Sequence, residues 1–158
     1  MPPKARRILV LGIGNLLMGD EGVGVHAVQH LSKSPLPEGV DVVDGGTGGF
    51  HLLSYFEDYP SLIMIDATMD GQPPGTVRTL RPRFASDYPR TLTAHDIGLR
   101  DLVETAALLE HRPEVTLITI SIAEMQPMET ELSEQIRAAI PEVLRTVHTL
   151  LEAKGAER

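Results

Sequence analysis

The chain has 158 residues, 42% of them apolar and 23% charged, with a net charge of −8 and no cysteine. That length sustains one compact core and is short for two, so a single domain spanning 1–158 is expected. The acidic balance argues against a nucleic-acid backbone as partner, and the lack of cysteine excludes disulfides, thiolate metal sites and a cysteine nucleophile.

The basic start, Met1 to Arg7, precedes an apolar run of only about five residues, too short for the core of a signal peptide. No stretch approaches the roughly 20 apolar residues of a membrane span. The expectation is a cytoplasmic protein with no membrane insertion.

Ile8 to Leu11 is a continuous apolar run of the kind found in strands buried on both faces of a parallel sheet. The glycine-rich stretch Gly12-Ile-Gly-Asn-Leu-Leu-Met-Gly-Asp-Glu-Gly-Val-Gly24 then leads into a helix through Leu31. Such a turn ordinarily binds phosphate through backbone amides and the positive end of the helix dipole. Here Asp20 and Glu21 occupy the helix start and repel an anion, so the turn reads as a cation site, with Asp20 expected to cap the helix. At about 100° per residue Val23, Ala27, Val28 and Leu31 share a buried face. His26 and His30 fall on the opposite, solvated face; they have the i, i+4 spacing of metal ligands but lack the following glutamate of that motif.

Pro35 and Pro37 close this unit, and Val40 to Val43 forms a second strand ending at Asp44. The loop Asp44-Gly45-Gly46-Thr47-Gly-Gly49 follows, then a short helix from Phe50 to Tyr59. A loop so poor in side chains lets a peptide backbone approach closely, and it leaves a strand end of the kind that borders ligand crevices in α/β sheets. Asp44, Gly45, Gly46 and Thr47 are therefore candidate substrate contacts.

Leu62 to Asp66 reads as a third buried strand with a carboxylate at its C-terminal end, making Asp66 a candidate functional acid. Thr76 to Leu80 is a short edge strand. Arg81 to Thr93 is an irregular loop, and Thr93-Ala-His95-Asp-Ile-Gly-Leu99 opens a helical pattern with His95 near its start. Val115 to Ile122 is a β-branched strand. After a loop from Ala123 to Thr130, Ser133 is the expected cap of a last helix whose stripe is Ile136, Ile140, Val143, Leu144, Val147 and Leu151, with Pro141 kinking it or starting its second half. The alternation of strand and helix predicts an α/β three-layer sandwich: a mostly parallel sheet with an antiparallel edge and helices on both faces.

Glu21, Asp66 and His95 lie roughly 30 to 45 residues apart in sequence, each placed beside a strand end. First and third strands of such sheets are commonly neighbours, so convergence of the three in one crevice is the expectation, which spacing alone suggests without fixing. Two carboxylates and an imidazole make a divalent-metal site, suited to Zn, Ni, Fe or Mn without choosing among them. No Gly-x-Ser-x-Gly elbow is present, so serine acyl-enzyme chemistry is unsupported.

In this order and spacing, Gly12-Ile-Gly-Asn15 through Gly24, Asp44-Gly-Gly-Thr47, Ile-Asp66-Ala and Ala-His95-Asp-Ile-Gly-Leu99 resemble the hydrogenase maturation proteases, from about Arg7 to Leu151. The resemblance implies an endopeptidase that trims the C-terminus of a [NiFe]-hydrogenase large-subunit precursor. It implies that Glu21, Asp66 and His95 bind nickel and carry catalysis, the nickel being supplied by the substrate's own active site. Asp20, Asp66 and Asp96 are the candidates for a general base. Family members are sometimes classed as aspartic-type, although this sequence lacks the Asp-Thr/Ser-Gly motif of pepsin-like enzymes. Two rival readings remain: a non-catalytic chaperone of the same subunit, and a Rossmann-like nucleotide-binding module, for which Leu17 stands where the third glycine belongs.

Overall fold

The computed structural model describes residues 7–47, 50–83, 87, 104–109 and 112–155. Strands β1 (Ile8–Gly12), β2 (Val40–Asp44), β3 (Ser61–Thr68), β4 (Val77–Leu80) and β5 (Glu114–Ser121) form one sheet in the order β2-β1-β3-β5-β4. β1, β2, β3 and β5 run parallel, and β4 pairs antiparallel with β5 at the edge. This is the architecture that the alternating sequence pattern predicts.

Successive strand side chains point to opposite faces, and the two cores divide accordingly. Ile8 and Val10 of β1, Ile63, Ile65 and Ala67 of β3, and Ile118 and Ile120 of β5 pack beneath helices α1 (Val23–Leu31) and α3 (Glu134–Ala153). Leu9, Leu11, Leu62, Met64 and Leu117 face the other way, against Leu52 and Phe56 at helix α2 (Leu53–Asp58) and against Ala106. Ala106 belongs to a helical turn at 104–106. Because both faces are covered, the inner strands read as unbroken apolar runs, and each fully buried aliphatic side chain contributes about 1.5–3 kcal/mol.

Helix α3 runs unbroken across Pro141. Its buried stripe holds Ile136, Ile140, Val143, Val147 and Leu151 as the periodicity predicts, with Ala139 and Leu150 added. Among the described residues no helix is long and apolar enough to cross a membrane.

At the N-terminal edge of the sheet Arg7 stacks 4.5 Å above the Tyr59 ring. The Tyr59 hydroxyl donates to Asp41 at 2.5 Å, and Arg7 donates to both Asp41 and Tyr59. Burial, then the bond to Asp41, pushes the Tyr59 phenol from 10 up to about 12. The folded value lies above the unfolded one, so this contribution to stability is complete below pH 10 and is lost as the pH rises from 10 to 12. Titrating phenolate absorbance in the folded protein should give a late phase near the upper value that Tyr59→Phe removes. A titration complete by pH 10 would contradict the geometry.

Candidate functional site

β1 stops at Gly12, opposite Ile65, while β3 continues to Thr68. Asp66 is therefore not the last residue of its strand, as the apolar run suggests. It sits inside β3, opposite Thr119 of β5, at the level where β1 has turned away. Strand parity sends its side chain to the α2 side of the sheet. Asp66 is fully buried, and its Oδ1 accepts the Ala67 amide at 2.8 Å.

The chain leaving β1 makes one more bond to β3, Ile13 N to Ile65 O at 2.9 Å, and then folds back. Asn15 shapes the turn, its Oδ1 accepting Leu17 N and its carbonyl accepting Met18 N. A 3-10 turn, Gly19–Gly22, carries Asp20 and Glu21 against β3 and leads into α1. Glu21 is fully buried, and its Oε2 accepts the Asn15 amide at 2.5 Å.

Glycine permits this closeness. A Cβ on Gly24 would lie 2.2 Å from the Ile65 carbonyl and 2.4 Å from that of Ile13, so the first turn of α1 presses directly on the strand ends. A Cβ on Gly12 would lie 2.3 Å from the Gly24 carbonyl. The motif's glycines thus bring the element bearing Glu21 onto the strand bearing Asp66. His95 and Asp96 lie outside the described residues.

Asp20 does not cap α1, which has no side-chain cap at its start. Its two oxygens accept Ser133 N at 2.7 Å, Ser133 Oγ at 2.8 Å and Gln126 Nε2 at 3.0 Å, while the Asp20 amide donates to Gln126 Oε1. Ser133 is the residue ahead of α3, but its hydroxyl serves Asp20 rather than its own helix. Hydrogen bonds to a charged group stabilise by about 1.5–3 kcal/mol each, so Asp20 is a strong tie between the glycine-rich turn and the loop before α3. Gly19 N to Glu129 O at 2.7 Å, Gln126 N to Met18 O and Glu129 N to Leu17 O extend the tie along both chains.

Of the two histidines on α1, His30 is exposed as the helical pattern predicts, but His26 is half-buried with Nε2 enclosed and unbonded. Burial holds its imidazole below the ordinary value, partly offset by Thr130. Its surroundings are those of a packing residue.

The loop after β2 is strapped to the turn after β1: Gly45 N donates to Gly12 O and Gly14 N to Gly46 O, both at 2.7 Å. Asp44 Oδ1 accepts Gly46 N at 2.8 Å. Gly46 has φ of 58°, and a Cβ there would meet nothing within 4 Å, so the backbone faces open space. Asp44 and Thr47 are exposed. These bonds also bear on phosphate binding, because the amides of Gly14 and Asn15, which would cradle it, already serve Gly46 and Glu21.

A family model described as hydrogenase maturation protease matches residues 25–150, a span that holds Asp66 and His95 and begins just after Glu21. The chain is 34% identical to the hydrogenase expression/formation protein HupD of Rhizobium leguminosarum bv. viciae over 98% of this chain and 78% of that protein. It is 32% identical to the hydrogenase 2 maturation protease of Escherichia coli K12, over 96% of this chain and 94% of that one. Among solved structures, the hydrogenase maturating endopeptidase HybD from E. coli superposes with a TM-score of 0.86 at 32% identity, covering 96% of this chain and 95% of that one. With a family model matched over most of the chain and relatives this similar in sequence and fold, the chain belongs to the hydrogenase maturation protease family.

Proposed function

We propose that the protein is an endopeptidase that removes the C-terminal extension of a [NiFe]-hydrogenase large-subunit precursor after nickel has been inserted, with Glu21, Asp66 and His95 engaging the substrate's nickel. The observation that carries this reading is the complete burial of Glu21 and Asp66 on two elements in contact at one end of the sheet. Two enclosed carboxylates carry a large desolvation cost unless a cation or proton compensates them. Hard oxygen donors with one imidazole are a donor set that accepts a divalent transition metal. Asp66 faces the α2 layer, and Ala106, which follows His95 in the chain, packs in that same layer; this supports His95 as the third ligand.

When bound there, nickel supplies Lewis-acid polarisation of a peptide carbonyl or of water. The remaining work belongs to the chain. Glu21 is held in place through Asn15 and Asp66 through Ala67, so both are oriented before substrate arrives. Asp20 spends its oxygens on Ser133 and Gln126, which leaves Asp66 and Asp96 to accept a proton from the attacking water. The open side of Gly46 and the exposed Asp44 and Thr47 offer a track for the backbone of the scissile segment.

Incubating the protein with nickel-loaded and nickel-free precursor, and weighing the precursor afterwards, tests the reading. A mass loss at the C-terminus confined to the nickel-loaded form is expected. Binding of the loaded subunit without any mass loss would instead establish a chaperone.

A further inference from the structure

Four large apolar side chains are conspicuously exposed among the described residues, and three of them, Leu17, Met69 and Met128, stand on chain leaving the C-terminal ends of β1, β3 and β5. That is the edge where Glu21 and Asp66 lie. Leu17 is 54% and Met128 85% exposed. The two belong to one unit, since Leu17 O accepts Glu129 N and Met18 bridges to Glu129. Met69 itself lines a cavity of about 470 Å³ together with Pro73, Pro74, Ile122 and Ala123.

Met128 carries a second mark. Its φ is +62°, the only positive value at a non-glycine among the described residues. L-residues adopt this conformation at a cost, whereas Gly takes it freely and Asn more readily than most. A long apolar side chain that is both strained in its backbone and left in water does nothing for the folded monomer. Strain of this kind is characteristic of binding surfaces. Glu129, next to it in the chain, and Glu124, in the same loop, are both exposed.

We propose that Met128 and Leu17 form a docking point for the precursor, where an apolar side chain of the substrate flanked by lysine or arginine seats beside the turn that carries Glu21. This rests on the proposed function and adds the chemistry that selects the substrate. Apolar contact supplies affinity, and the acidic fringe favours a basic neighbour and disfavours an acidic one. Because Gln126 and Ser133 clamp the same loop to Asp20, a segment bound at Met128 is held in register with the buried carboxylates.

The test compares wild type, Met128→Gly, Met128→Asn and Glu129→Lys by thermal unfolding, equilibrium binding of nickel-loaded precursor, and cleavage kinetics. Both Met128 variants should melt no lower than wild type, yet bind the precursor about tenfold more weakly and raise KM with kcat unchanged, a loss of about 1.4 kcal/mol. Glu129→Lys should weaken binding in a salt-dependent manner. Binding and KM within twofold of wild type for both Met128 variants would overturn the docking point. So would a wild type that self-associates through this patch while Met128→Asn stays monomeric. Tight binding by wild type without cleavage would sink the protease reading alone, and the docking point would still stand or fall on the binding of the Met128 variants.

Discussion

Glu21→Gln and Asp66→Asn should each abolish C-terminal processing of the nickel-loaded precursor if the proposed site is right. The amide replacements keep an acceptor for the Asn15 and Ala67 amides, so neither turn loses its hydrogen bond. Each replaces one carboxylate oxygen at a fully buried position and keeps the shape of the side chain. Removing a group that only orients a metal ligand costs roughly 10–100-fold, and losing the ligand itself should exceed that. Nickel ions at a hundred times their dissociation constant should stabilise wild type by about 2.7 kcal/mol and the variants by much less. Cleavage at the wild-type rate by either variant would remove that carboxylate from the site.

Among the described glycines, Gly24→Ala is expected to be one of the most damaging small substitutions. The added methyl has no flexible neighbour to displace, because the atoms it meets at 2.2 and 2.4 Å are backbone carbonyl oxygens of Ile65 and Ile13. Accommodating it means lifting α1 off the sheet. Overpacking costs typically 1–3 kcal/mol where side chains yield, and a rigid backbone places this site at or above about 3 kcal/mol, a fall in melting temperature of about 6–12 °C. The damage should spread to the chemistry, since the same lift moves Glu21 away from β3. Urea denaturation together with the cleavage assay reads both effects, and a variant that melts within 2 °C of wild type would contradict the close approach.

Local pattern carried most of the fold. The apolar runs at Ile8, Leu62 and Val115 are strands because both faces of the sheet are covered, and the stripe from Ile136 to Leu151 is a helix face because it packs on that sheet. Local pattern failed where an answer depended on a distant partner. Asp66 looked terminal because the apolar run ends there, but strand length is set by pairing, and β5 carries β3 on to Thr68. Asp20 and Ser133 both had the chemistry of helix caps and instead found each other. No window of sequence around either residue contains the other. The strained backbone at Met128 also left no sign, since methionine gives no hint of positive φ. Glu21 drew notice as an acid at a helix start where a phosphate would otherwise bind and Asp66 as an acid closing an apolar run, and both are buried in the structure, whereas His95 lies outside the described residues and rests on its motif.

Asp20 and Ser133 meet across 113 residues, so this tie is among the least local contacts of the fold. Contacts of such separation carry the entropy of closing a long loop and form late. During synthesis the strand and turn that bear Glu21 emerge first, yet the clamp on their neighbour cannot close until the residues that open α3 have left the ribosome. The edge that carries the glycine-rich turn is thereby finished only after the segment opening α3 has folded back against Asp20.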